Sequence, residues 1–324
     1  MPSSAPLVSV VIATYNRSRI LAHAIESVRR STLADWELIV VGDRCTDDTA
    51  GVVAAFGDPR VSFVNLAVNA GEQSGPNNEG VARARGEYLA FLNHDDLYFA
   101  DHLERAIAHL GREAADLVWS PLLVALPTTA DDLARRAWRF RLSGVTAGDD
   151  YDPRVFVFAS AWVMRREFAA RVGRWRPARE TFVTSSQDWL FRAWRTGARL
   201  RMLPTPTVLA VPASARDGSY LDGSREHDCY AAQMRDVPGF RDEALALAAL
   251  AGEREANRYR FGLALSETLR ALVFRPASAL ALAVGAHPHA PLAALRYGRR
   301  GNLVSALRRR TGLRGLRAKG EERD

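Results

Sequence analysis

Four times in the first hundred residues a short apolar, β-branched run is followed by a stretch with helical spacing, and few architectures accept that rhythm. LVSVVIA (7–13) precedes NRSRILAHAIESVRRS, in which Ile20, Leu21, Ala24, Ile25 and Val28 share one helical face. WELIVVG (36–42) precedes TDDTAGVVAAF, whose acidic residues fall in the first turn, where the helix dipole favours them. VSFVNL (61–66) leads into SGPNNEGVARAR, and EYLAFL (87–92) into YFADHLERAIAHL. Apolar runs without polar alternation belong to strands covered on both faces. Repeated strand–helix units predict a doubly wound, mainly parallel α/β sheet with right-handed crossovers and flanking helices. Ligands of such sheets bind outside the carboxyl ends of the strands.

That rule collects several polar residues at one edge. Thr14, Tyr15 and Asn16 end the first strand, Asp43 the second, and Asn93-His94-Asp95-Asp96 the fourth. Adjacent carboxylates repel, and must be solvated, protonated or neutralised by a cation. Asp95 suits a hard divalent ion, Mg²⁺ or Mn²⁺, shared with phosphates; the competing role for Asp95 or Asp96 is to cap the helix beginning near Phe99. Tyr15 offers a stacking face for a flat ring. In SSQDWLFRAW, Asp188 stands beside Trp189 and Leu190. Burial there would raise its pKa towards that of a general base, while its ordinary alternative is to complement the helix dipole. His227, in SREHDCY, is a further candidate metal ligand, although a lone histidine is more often structural.

Beyond residue 115 the pattern loosens. ADLVWSPLLVAL predicts one strand, 127–153 an irregular inserted loop, and RVFVFASAWVMRR a strand leading into a short helix. TSSQDWLFRAWRTG predicts a helix opened by Ser185 or Ser186 and stopped at Gly197, and 240–275 two Ala- and Leu-rich helices. The expected organisation is a main domain over 1–235, a helical C-terminal extension over 236–295 and a basic, disordered tail over 296–324.

The net charge of +7 sits entirely in that tail, where ten Arg or Lys meet three acidic residues. The body is therefore not a nucleic-acid surface, and no nucleic-acid partner is expected. LRRRTGLRGLRAK mixes Leu with Arg as interfacial helices do, so the tail is expected either to touch an anionic membrane peripherally or to be solvated. Two cysteines provide no disulfide framework, MPSSAPLVSV is unlike a secretion signal, and no apolar run approaches roughly 20 residues. The expected setting is cytoplasmic, extending to the inner face of the membrane. Phosphate-binding G-x-x-x-x-G-K-[ST], dinucleotide-binding G-x-G-x-x-G, C-x-x-C and H-E-x-x-H patterns are all missing.

In order and spacing, VSVVIATYNR, ELIVVGDRCTDDT, NAGEQSGPNNEGVARARGEYLAFLNHDDLY and QDWLFRAWRTG resemble glycosyltransferase family 2 of the GT-A fold, over about residues 7–212. The resemblance implies a metal-dependent, inverting transfer of a sugar from a nucleotide-sugar, usually a UDP-sugar. The acceptor hydroxyl would belong to a glycan, a lipid-linked or another acceptor, as in cell-surface polysaccharide synthesis. It further implies that Thr14, Tyr15, Asn16, Asp43, Asn77, Asn93 and Asp95 face the donor. Asp95, with His227, would hold Mn²⁺ or Mg²⁺, and Asp188 would be the base. Gly42 before Asp43, Asn77, Asn93 and Gln187 depart from the family's usual residues. Those departures motivate a second expectation, a catalytically weak binding or scaffold protein. A nucleotidylyltransferase, the third, lacks its Gly-rich phosphate loop after the first strand.

Overall fold

The computed structural model describes residues 5–221, 225–258, 268 and 270–316. Strands β1 (Val8–Thr14), β2 (Trp36–Gly42), β3 (Val61–Asn65) and β4 (Tyr88–Asn93) pair in parallel, as the alternation predicts, and stand in the order β3-β2-β1-β4. The central register sets Val11 beside Ile39 and Phe91. Helices α1 (Ser18–Arg29), α2 (Thr49–Ala55), α3 (Ser74–Arg83) and α4 (His102–Arg112) occupy the connections. At Gly80, α3 lies so close to β1 that an added Cβ would sit 2.3 Å from a Val11 methyl, and this proximity fixes the start of α3 beside the strand ends.

Past β4 the sheet is no longer parallel. The antiparallel β9 (Trp162–Arg165) inserts between β4 and β6 (Leu117–Trp119), and β10 (Leu200–Met202) completes seven strands alongside β6. ADLVWSPLLVAL is thus two strands. It breaks at Ser120-Pro121, where proline has no N–H to continue a ladder, and β7 (Leu122–Ala125) enters a second sheet. That four-stranded sheet runs β5-β11-β7-β8, with β5 (Asp96–Tyr98), β8 (Phe140–Ser143) and β11 (Val208–Ala210). Part of the expected loop over 127–153 is therefore β8, preceded by α5 (Ala130–Ala134) with a Thr129 capping box. Both are too short to show a period. Helix α6 (Arg166–Val172) follows β9, and α7 (Ser185–Arg195) is capped one residue earlier than expected, by Thr184, whose Oγ1 accepts from the Gln187 N–H.

Three indoles, Trp162, Trp175 and Trp189, stack at 5.6–5.9 Å between centroids and key α7 to the large sheet. Helices α8 (Glu226–Asp236) and α9 (Phe240–Arg258) cover the small sheet, where Tyr230, Phe240 and Ala244 join Leu123, Phe140 and Leu209 in a second core. Helix α9 is the first of the two expected over 240–275; residues 259–267 and 269 of that stretch lie outside the described residues. A π-helical turn (Arg270–Phe274) then leads into α10 (Arg275–Ala283), α11 (Ala290–Tyr297) and α12 (Asn302–Arg310). The basic stretch after 296 is therefore no solvated tail as far as Leu316. Arg308 donates to the Gly71 carbonyl, Arg310 pairs with Asp217 at 2.5 Å, and Ser305 Oγ accepts from the Leu316 N–H. Residues 317–324 lie outside the described residues. Among the described residues no helix is long and apolar enough to cross a membrane.

Candidate active site

The carboxyl ends of β1, β2 and β4 open into a cavity of about 270 Å³. Thr14, Tyr15, Asp43, Asn93, His94 and Asp95 line it from the strand ends. Glu72 and Pro76 enter from the start of α3, Ala213 and Tyr220 from the segment after β11, and Leu307 and Arg308 from α12.

Asp43 extends the β1–β2 ladder by one bond, its N–H donating to the Thr14 carbonyl at 2.8 Å. Its carboxyl group accepts from the Ala70 and Gly71 amides at 2.6 and 2.8 Å, and its own carbonyl from Asn69 Nδ2 at 2.6 Å. Burial raises its pKa to about 6 against the pull of those amides, with Glu72 adding to the rise and Arg308 opposing it.

Asp95 and Asp96 resolve their repulsion by facing opposite ways. Asp96 turns inward to Ser160 Oγ, to Asn93 Nδ2 at 3.0 Å and to the Val211 N–H at 3.1 Å. Burial, reinforced by the neighbouring Asp95 charge, pushes its pKa up to about 8, so it is a neutral acid at pH 7. Asp95 turns to the cavity, accepting from the Ala213 N–H at 2.7 Å with Arg17 Nη1 3.9 Å away. Burial opposes its ionisation, but the fields of His94 and Arg17 and the Ala213 amide outweigh it and hold Asp95 below the usual carboxylate range. Neither residue caps a helix: α4 starts at His102 behind Asp101, and the pair instead leads into β5.

The Arg17 guanidinium lies 4.8 Å from the Tyr220 ring centroid, and its Nη1 is buried without a hydrogen-bond partner among the described residues. Tyr220 also stands 6.4 Å from the Tyr15 ring and 3.4 Å from His94 Nε2 through its hydroxyl. Tyr15 thus meets another aromatic at the cavity edge.

The cavity brings together five of the residues expected to bind donor: Thr14, Tyr15, Asp43, Asn93 and Asp95. Four expected residues stand outside it. Asn16 instead ties two loops together, its Oδ1 accepting from the Thr46 N–H at 2.7 Å and its backbone in the left-handed region at φ 43°. Asn77 is buried in α3 behind Pro76. His227 Nε2 meets the Asp95 carbonyl at 3.1 Å, and burial depresses its pKa to about 3, so this neutral ring braces the Asp95 backbone rather than the carboxylate. Asp188 lies in the first turn of α7, paired with Arg192 Nε at 2.9 Å and Arg176 Nη1 at 3.6 Å.

Three residues at the cavity carry no local sequence signal. Glu72 accepts from Ser185 Oγ at 2.7 Å and the Ser74 N–H at 3.0 Å, joining the cavity to the first residue of α7. Arg308 sits in a run of arginines that reads as surface charge, and Tyr220 lies in an irregular segment. Among the described residues no group of three or more His, Cys, Asp or Glu could enclose a metal ion. What the cavity offers a divalent cation is one ionised carboxylate, Asp95, with the Asn93 amide beside it, a donor set suited to an ion held chiefly by substrate phosphates.

The model of the family described as Glycosyl transferase family 2 matches residues 9–173. An uncharacterized glycosyltransferase of Bacillus subtilis, YwdF, is 33% identical over 236 residues, 72% of this chain and 84% of that protein. The Escherichia coli protein WfgD, named as a UDP-Glc:α-D-GlcNAc-diphosphoundecaprenol β-1,3-glucosyltransferase, is 34% identical over 102 residues, 32% of this chain and 40% of its own length. Against the first curated relatives the matching stretch spans 38%, 11% and 40% of their lengths. In fold, the chain is similar to Staphylococcus aureus TarS 1-349, with a TM-score of 0.53 at 16% identity, covering 90% of this chain and 92% of that one. A structure of the same TarS segment with UDP-GlcNAc superposes with a TM-score of 0.53 at 15% identity.

Proposed function

Since the chain belongs to glycosyl transferase family 2, we propose that it moves a sugar from a UDP-sugar, with inversion, to an acceptor hydroxyl of a growing surface polysaccharide. WfgD, by its name, uses a lipid-diphosphate acceptor, and a lipid-linked glycan is the acceptor class we assign here. What carries the reading is the charge layout of one cavity: a buried carboxyl with a raised pKa at one strand end, one held below the usual range at another, and the Arg308 guanidinium on the wall.

The nucleoside would lie towards Asp43 and Tyr15, where the Asp43 carboxylate can accept from a base N–H and Tyr15 can stack. The diphosphate would lie between Asp95 and Arg308. Asp95, with Asn93, would hold a divalent cation, which would supply charge neutralisation for the departing diphosphate. Arg308 adds a fixed guanidinium, held through Nε on the Arg314 carbonyl at 2.8 Å and through Nη1 on that of Gly71. For the base the cavity favours Glu72 over Asp188. Glu72 lines the space an acceptor must enter, whereas Asp188 is held by two arginines outside it. Glu72 would take the proton of the attacking hydroxyl while Ser185 holds its orientation.

The test is transfer or slow donor hydrolysis with a panel of UDP-sugars, followed by release of UDP. Asp95→Ala should abolish it in a folded protein. Full activity in that variant, or calorimetry without detectable UDP binding whether or not Mn²⁺ is added, would overturn the reading; the latter favours a scaffold.

A further inference from the structure

Helix α10 is inside out for a protein in water. Its buried positions are Ser278 and Ala281, while Leu280 and Val284, four residues apart and so on one face, are 68% and 73% exposed. The preceding turn adds Leu272 at 71%, Val273 at 52% and Phe274 at 38%, and the adjoining α11 adds Leu295 at 85%. A surface helix normally turns its large apolar side chains to the core and its small or polar ones outward. Large apolar side chains clustered outside on neighbouring elements mark a docking surface.

The charge around this face identifies its partner. Between Glu267 and Glu321 the chain has no Asp or Glu, but ten Arg and one Lys. Arg275, Arg296, Arg299 and Arg300, in and beside these helices, are exposed. A second copy of the chain docked through the same face would set this cationic region against itself, since a two-fold contact pairs each patch with its own copy. An acidic surface with an apolar interior satisfies both halves of the pattern, and apolar side chains flanked by arginines are what an interfacial helix presents to lipid.

We propose that the outer face of the 270–297 helices, and not a free basic tail, docks this protein on a membrane rich in anionic lipid. The segment continues directly into α12, so the docked surface lies next in sequence to the wall of the catalytic cavity. Exposure and charge define this face whichever donor the cavity takes.

Co-sedimentation with vesicles of phosphatidylglycerol and phosphatidylcholine tests it, using the full chain. Binding should be strong to the mixed vesicles in low salt, weaker in high salt and absent with phosphatidylcholine alone. The triple variant Val273→Glu, Leu280→Glu, Val284→Glu should bind at least about tenfold more weakly, with an unchanged melting temperature and an unchanged response to UDP. The milder pair Leu280→Gln and Val284→Gln provides the same comparison should the triple variant misfold. Equal binding by wild type and variants overturns the proposal, as does failure of the wild type to bind the mixed vesicles. A dimer seen by light scattering and lost in the variants would assign the face to a second copy instead. Loss of UDP response alone, with lipid binding intact, would count against the donor assignment and leave the surface standing.

Discussion

At the scale of single residues, neighbouring groups of identical chemistry are set apart by their surroundings. Asp96 keeps a proton that the unfolded chain releases near pH 4, because its folded pKa is about 8. Its contribution to stability is therefore complete below pH 4 and is lost as the pH rises towards 8, at up to about 1.4 kcal/mol per pH unit. Asp96→Asn lacks this dependence. Urea denaturation near pH 5, 7 and 9 should show the variant gaining on the wild type as the pH rises; parallel profiles would mean that Asp96 is ionised in the fold. Glu72 and Asp188 differ in the same spirit. Glu72→Gln should lower turnover by at least about a hundredfold while UDP affinity stays within a few-fold. Asp188→Asn frees Arg192 and Arg176 and should act on the melting temperature, with turnover within about threefold of wild type. The reverse pattern would return the base to Asp188. Tyr15, Asp43 and Asp95 were legible in the sequence because each ends a strand, and strand ends follow from the apolar pattern. The surroundings of Asp188 were not legible from its neighbours: Trp189 is buried, but one residue turns a helix by about 100°, and Asp188 pairs with Arg192 and Arg176.

At the scale of elements, α7 supports the cavity from outside through Ser185 and Glu72, and α12 forms part of its wall. Trp189 anchors α7 in the indole stack and donates through Nε1 to the Gly173 carbonyl at 2.9 Å. Trp189→Ala should cost about 3–5 kcal/mol of stability, read as a lower urea midpoint. The contribution of α12 is a charge. Arg308→Ala should weaken UDP binding by about one to two orders of magnitude, as expected for a lost charge-assisted contact, without lowering the melting temperature of the unliganded protein by more than a few degrees. Calorimetry at constant salt measures both arms, and unchanged affinity would remove Arg308 from the diphosphate site. Helix α12 itself was poorly legible. Its arginines dominate any reading by charge, while the apolar side chains that seat it at the cavity, Val304 and Leu307 with Leu313 just beyond its end, are few.

At the scale of the whole molecule, β4 returns past β3 and β2 to pair with β1, but the first four strands themselves follow from local pattern. The remaining seven do not. β9 pairs across a long sequence interval, and β6 and β7 are separated only by Ser120-Pro121 yet belong to different sheets. Three-residue strands such as β5, β6, β10 and β11 carry too little periodicity to be seen. Saturating UDP with Mn²⁺ should raise the melting temperature of the whole chain by mass action; a nucleotide that leaves it unchanged would place the ligand elsewhere.

The cavity wall built from α12 has a consequence for synthesis of the chain. A ribosome that has released residues only as far as Tyr297 has delivered every strand of both sheets, but not Arg308 or the apolar residues around it. Such a nascent protein would be folded in its centre and open where the diphosphate is proposed to lie. Donor capture would thus begin only after α12 emerges, so a half-made enzyme would not sequester the sugar it cannot yet transfer.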